Sequence, residues 1–359
     1  MDSLRIARRL ACWLLIGLLA ACGGAASNTA PSKPAAATPG GTSPAASAAG
    51  SATAAAAPAP PAASGKPITI AWTAAAFDYG PLWIAADKGF FAAHGVNVQL
   101  QFIEVSASFQ ALVARDIEVL ATASDPSLRA QGVDVKYFGS PMHALNLGLY
   151  GRQGLQTTPA ALAGKTVAAT NSGSATDIFA REVLGRMGVD PASMQFLYTQ
   201  NIPSIYAGID AGQFDLGPLP PPFAFTAEAN PALVKLAALG TVRVPFMTAA
   251  PLAQTDWIRA HEAEASGILQ GYKDAIVFAR ANEPETKAIV GKYLQLDDER
   301  VLKLSYDRAL EFWGVPDLTV DRDALKLAIE YGARVNPAVQ SLTIEEFVYD
   351  DNRLANALR

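Results

Sequence analysis

From Ile68 onward the hydrophobic pattern switches repeatedly between a period of two and a period near 3.6, and that alternation restricts the fold more than any other property of the chain. Ile68, Ile70 and Trp72 alternate with small residues, as in a half-buried strand. Residues 77–80 read as a loop, and Pro81 stands at the start of a helix, where a missing N–H costs nothing. Leu82, Ala85, Ala86 and Phe90 share one face of that helix. Val96, Val98, Leu100 and Phe102 alternate again. Ser106 is placed to cap a helix carrying Phe109, Leu112 and Val113. Residues 119–121, 135–138 and 145–150 read as further strands, with Ser124-Asp125-Pro126 opening a helical turn between the first two. Strand–helix–strand succession predicts an α/β fold with a parallel sheet and helices on both faces. In such sheets ligands bind beyond the carboxyl ends of the strands.

A second α/β unit begins near Gly151. A strand over 166–169 leads into the tight loop Asn171-Ser172-Gly173-Ser174. A helix follows with Ile178, Ala180, Val183, Leu184 and Met187 facing inward, ending at Gly188. A strand over 196–198, a helix over 202–212, a strand end at Asp215-Leu216 and strands over 234–236 and 242–244 complete the unit. From Pro245 the pattern is mostly helical, and these helices are expected to return to the first unit. The expected organisation is therefore discontinuous: residues 66–150 plus 245–359 form one lobe, and 151–244 the other.

The N-terminus has a different character. Arg5, Arg8 and Arg9 precede a short apolar run that ends by residue 21, below the about 20 apolar residues a membrane span needs. Residues 1–21 read as a secretory signal. Leu19-Ala20-Ala21-Cys22 resembles the bacterial lipobox, which implies acylation of Cys22. Residues 22–65 are almost entirely Ala, Pro, Ser, Gly and Thr, too poor in apolar area to offset the entropy of ordering, and are expected to form a disordered tether. The implied location is extracytoplasmic, membrane-anchored, in the periplasm or on the outer face of the cell membrane. Cys12 and Cys22 are the only cysteines, so the folded region has neither a disulfide nor a cysteine metal site.

The run Tyr79-Gly80-Pro81-Leu82-Trp83-Ile84-Ala85-Ala86-Asp87-Lys88-Gly89-Phe90-Phe91, continuing to Gly95-Val96-Asn97-Val98, resembles the opening signature of the nitrate/sulfonate/taurine and thiamine-pyrimidine type substrate-binding proteins of ABC importers. Leu162-Ala163-Gly164-Lys165-Thr166-Val167, Gly173-Ser174-Ala175-Thr176-Asp177 and Ala211-Gly212-Gln213-Phe214-Asp215 resemble its later blocks in the same order, as does the tail Phe347-Val348-Tyr349-Asp350-Asp351. The resemblance implies a two-lobed periplasmic-binding-protein fold of type II, with a hinge and a ligand cleft between the lobes. It implies a monomer that captures a small molecule and hands it to a permease and ATPase complex. One departure stands out: where the family pattern has glycine and aspartate ("G-D-I-D"), this chain has Arg115-Asp116-Ile117-Glu118.

Reactive groups are sparse. His94, His143 and His261 show no metal spacing, and there is no G-x-S-x-G elbow or Walker loop. The enzyme branch of the same fold, which makes the thiamine pyrimidine, uses a cysteine-rich motif, iron and a lysine-bound pyridoxal group, and this chain lacks those cysteines. No catalysis, cofactor or metal is expected. A ligand-sensing receptor domain is the other reading the fold permits. The net charge of −5 argues against nucleic acid. Candidate ligand residues lie at strand ends: Phe77, Asp78 and Tyr79; Thr122 and Ser124; Asn171, Ser172, Gly173, Ser174 and Thr176; Pro221 and Phe223. The 171–176 segment opens a helix, whose free N–H groups and dipole suit an anion. Its hydroxyls equally suit a helix cap. Sulfonate, nitrate, carboxylate and heteroaromatic ligands all remain open.

Overall fold

Strands of the expected type assemble into two separate five-stranded sheets in the computed structural model, which describes residues 65–313 and 317–359. The expected signal segment, Cys22 and the tether up to residue 64 lie outside the described residues. In chain order the strands are β1 (Ile68–Trp72), β2 (Val98–Phe102), β3 (Val119–Thr122), β4 (Val135–Tyr137), β5 (Gly148–Arg152), β6 (Thr166–Ala169), β7 (Gln195–Tyr198), β8 (Leu216–Leu219), β9 (Leu233–Ala237) and β10 (Ala250–Gln254).

The first sheet has the order β2-β1-β3-β10-β4 and the second β7-β6-β8-β5-β9. β1 runs parallel to β2 and β3, and β6 parallel to β7 and β8. β10 and β5 are the antiparallel members. The central strands β1 and β3 are buried along almost their whole length, which is why they read as apolar rather than strictly alternating.

Helices Gly80–Asp87, Glu262–Ala281, Glu283–Leu294 and Glu299–Phe312 build the main core with Trp83, Tyr272 and Trp313 at full burial. Burying each such side chain contributes about 1.5–3 kcal/mol. The long helix Glu262–Ala281 lies close to the short helix Phe90–Ala93, and Gly271 makes the approach feasible. A Cβ there would meet the Phe91 ring at 2.5 Å. Gly89, at φ 73, turns the chain between the helices Gly80–Asp87 and Phe90–Ala93, so Phe90 sits beyond the first helix rather than on its face.

The chain passes to the second sheet after β4 and returns at β10. The two crossings run side by side: Leu145 N donates to Val244 O at 3.0 Å, Phe246 N to His143 O at 3.4 Å, and Ala144 bridges Pro245.

The structure differs from expectation at four places. The strand expected over 145–150 is shifted to Gly148–Arg152 and belongs to the second sheet, because it pairs with β8 and β9. Residues 242–244 form no strand; they are part of the return crossing, where Val244 meets Leu145. β10 escaped notice because its sequence, APLAQ, combines a proline with small alanines, a poor strand signature. Ser106 is not a cap: the helix starts at Val105 with Glu104 at the N-cap position. At the departure from the family pattern, Arg115 takes a left-handed conformation, φ 64, at the end of that same helix. Glycine suits such a position because it has no Cβ.

Candidate functional site

A cavity of about 650 Å³ opens where the carboxyl ends of the parallel strands of both sheets converge. Its walls are the segments following β1, β2, β3, β6, β7 and β8, together with Leu145, Asn146 and Thr248 from the two crossings. Placement beyond strand ends follows from the topology, since there the connections leave the sheets and backbone groups are free to turn toward a ligand.

Asp78 and Tyr79 hold the floor on the side of the first sheet. Both lie in a single 3₁₀ turn, Phe77–Tyr79, and both are buried. Asn146 Nδ2 donates to Asp78 Oδ1 at 3.2 Å. Burial pushes the Asp78 carboxyl up to about 7, with the Asn146 bond acting the other way. The Tyr79 hydroxyl and Thr73 Oγ1 are 2.8 Å apart, and burial pushes the phenol up to about 12. The Tyr79 ring leans on Trp72 at 6.0 Å between centroids and on Trp83 at 6.1 Å. Phe102 packs on the far side of Trp72 at 4.6 Å, yet 45% of it is exposed, and it faces the cavity.

Thr122 and Ser124 line the site as expected. Ser124 is also pinned from behind: its Oγ accepts from Met247 N at 2.9 Å, and its own N donates to Met247 O at 3.2 Å. That pair ties the end of β3 to the return crossing. Asp125, next to it, accepts from Ser127 N at 2.7 Å, and burial raises its carboxyl above the ordinary range.

On the second-sheet side, Asn171, Ser172, Ser174 and Thr176 line the cavity. Ser174 is the N-cap of helix Ala175–Arg186 and accepts from Asp177 N at 3.4 Å. The hydroxyls of Thr170, Ser174 and Thr176 form a closed triangle with edges of 2.9, 3.0 and 3.0 Å. The helix start already holds a carboxylate of its own: Asp177 Oδ2 accepts from Gly173 N at 2.9 Å and Oδ1 from Arg181 Nε at 3.0 Å.

Four expected residues do not line the cavity. Phe77 is fully buried and stacks on Trp313 at 5.6 Å, so it belongs to the core. Gly173, at φ 76, is not among the lining residues, and its N–H is engaged by Asp177. Pro221 is buried, and its carbonyl accepts from Phe77 N at 3.1 Å; the neighbouring Pro220 reaches the cavity instead. Phe223 pairs with Tyr206 at 6.3 Å. Asn146, Phe102, Glu104 and Thr248 were missed. Asn146 stands between the alternating Leu145 and Leu147 in a run that reads as a strand, Thr248 has no periodic signal, and Phe102 counted only as a strand residue. Among the described residues no group of three His, Cys, Asp or Glu side chains gathers as a metal site.

The NMT1/THI5 like family model matches residues 76–286, more than half of the chain and including the 79–98 signature and the later blocks up to Asp215. The chain belongs to the NMT1/THI5-like family. Solved structures outside this sequence range of similarity share the fold. The ligand-binding component of an ABC-type import system from Staphylococcus aureus, with zinc bound, is 13% identical, with a TM-score of 0.67 over 82% of this chain and 99% of that one. The periplasmic aliphatic sulphonate binding protein SsuA from Escherichia coli is 18% identical, with a TM-score of 0.63 over 80% and 93%. The periplasmic nitrate-binding protein NrtA from Synechocystis is 15% identical, with a TM-score of 0.62 over 84% and 90%. No curated protein matches this NMT1/THI5-like chain. Its fold is thus the two-lobed periplasmic-binding-protein fold that the sequence resemblance implied.

Proposed function

We propose that this protein is an extracytoplasmic solute-binding protein that captures a small molecule in the cleft and delivers it to an ABC importer. The observation that carries this reading is the cavity itself: about 650 Å³, walled by strand ends of both sheets and by both crossings. Pockets of this size at lobe interfaces are the usual place for a small ligand. Family membership and the importer components among the structural neighbours support it.

Capture works by hinge closure. The two crossings are the only backbone links between the sheets among the described residues, and they pair with each other through Ala144 and Pro245. Rotation about that pair brings the 171–176 wall toward Asp78 and Tyr79. Catalysis is not part of this reading, which follows the ligand-binding components among the structural neighbours. Anchoring through Cys22, on a spacer of residues 22–65, would keep the protein near its permease and ATPase partners, with the folded part acting as a monomer.

Native mass spectrometry of freshly purified protein tests the reading. A co-purified small molecule, lost when the protein is unfolded and refolded, is expected. Protein that neither retains nor takes up any small molecule from a cell extract would overturn it.

A further inference from the structure

The charged side chains that line the cavity are Asp78, Glu104 and Asp125; no Lys, Arg or His is among the lining residues. That asymmetry alone would describe an acidic surface. The state of the innermost pair says more. Asp78 is 5% exposed and Asn146 1% exposed. They share one hydrogen bond, Asn146 Nδ2 to Asp78 Oδ1. Asn146 Oδ1 has no donor, and Asp78 Oδ2 receives none from the described residues. The Asn146 carbonyl oxygen is therefore a buried acceptor without a donor, on a residue that lines the cavity and whose amide is held by the Asp78 carboxyl. Native proteins rarely leave buried acceptors in that condition.

An oxyanion brings only more acceptors to this floor. On the opposite wall the Asp177 carboxylate stands at the start of helix Ala175–Arg186, accepting from Gly173 N, and the Thr170, Ser174 and Thr176 hydroxyls bond to one another. The remaining walls are largely apolar, with Ala74, Ala75, Phe102, Val105, Phe109 and Leu147 among them. Resting on the solute-binding reading, we infer that the ligand carries an N–H donor head, neutral or cationic, on an apolar body, and that Asp78 and Asn146 receive that head. Oxyanions are disfavoured by like charge wherever the lining carboxyls of Asp78, Glu104 and Asp125 are ionised, and by the Asn146 acceptor facing another acceptor.

Four probes that share a benzene ring and differ in the head test this with the full chain in titration calorimetry: benzamidinium, benzylammonium, benzoate and benzenesulfonate. The first two are expected to bind and the last two not. Asp78→Asn keeps the shape and should weaken the cationic probes roughly tenfold or more, since a charge-assisted bond is lost. Asn146→Ala should weaken them as well, with the variant's melting curve confirming the fold. Binding of benzoate or benzenesulfonate, or binding of the cationic probes unchanged in both variants, overturns the inference and leaves the solute-binding reading standing. Failure of all four probes overturns it too. In that case native mass spectrometry separates the two ideas: a retained metabolite without an N–H group sinks only the inference, and the absence of any retained molecule sinks both.

Discussion

The phenol of Tyr331 donates to Glu182 Oε1 at 2.6 Å, joining helix Arg322–Val335 to helix Ala175–Arg186. The first helix belongs to the part of the chain that has returned to the first sheet, and the second leans on the second sheet. Tyr331 and Ala328 pack in the core of the second lobe, so the contact has an apolar base as well as a polar tip. Tyr331→Phe keeps the base and removes the tip. It should cost about 1 kcal/mol in urea unfolding, the usual net value of such a bond. An unchanged midpoint would show that water replaces the hydroxyl without loss.

Asp78 makes stability depend on pH. Its carboxyl is raised from 3.8 to about 7 by burial, so the folded protein keeps a proton that the unfolded chain has released. The associated stability is complete below about pH 3.8 and is lost as pH rises through about 7. Asp125 is shifted the same way and adds to the trend. Asp78→Asn removes the Asp78 share. Between pH 4 and 7 the variant should gain on the wild type by up to about 1.4 kcal/mol per pH unit. Parallel stability curves for the two proteins would contradict a buried, late-titrating Asp78.

Arg115→Gly should stabilise the fold. Arg115 sits at φ 64, where a side chain costs roughly 1–2 kcal/mol relative to glycine. What is lost is an exposed ion pair with Asp256 at 2.7 Å, worth about 1 kcal/mol at most. A net gain of up to about 1 kcal/mol in thermal or chemical unfolding is expected; a net loss would show that the ion pair outweighs the backbone strain.

Ser174→Ala tests the cap at the cavity wall. Its Oγ accepts from Asp177 N and from Asn171 N and joins the hydroxyl triangle. Loss of the cap should lower stability by about 0.5–2 kcal/mol. Affinity for a cationic probe should fall less than in Asp78→Asn. The reverse ranking in calorimetry would make the 171–176 wall the main ligand contact.

The anchor proposal is checked by labelled palmitate. Wild-type protein should incorporate it and Cys22→Ala should not. Equal labelling of the two would remove Cys22 as the acylation site.

Much of this molecule was legible because local signals agreed with tertiary structure. Ile68, Ile70 and Trp72 alternate in sequence and form β1; Ser174 precedes an apolar periodic run and caps it. Pattern reading failed where partners distant in sequence decide the outcome. Ala250 to Gln254 become a strand only because β3 and β4 stand on either side to accept them. Phe77 looked like a loop aromatic free to meet a ligand, but Trp313 claims it from the other end of the chain. The cleft itself was placed by topology, at strand ends, whereas its decisive pair was not. Asp78 was visible, but Asn146 sits in a run that alternates like a strand, and its partner is 68 positions away.

The position of β10 carries a consequence for the order of assembly. Thr122 pairs with Ala250, and β4 joins its sheet through β10 rather than through β3. A nascent chain that has emerged only as far as the second sheet therefore holds an unfinished first lobe, with the edge of β3 bare and β4 unattached. The second sheet, formed from β5 to β9, is continuous in sequence and can complete itself first. Closing the first lobe then requires contacts between segments far apart along the chain, the slow class of folding event. A polypeptide built this way keeps its first lobe incomplete until residue 254 and the following helices have been made.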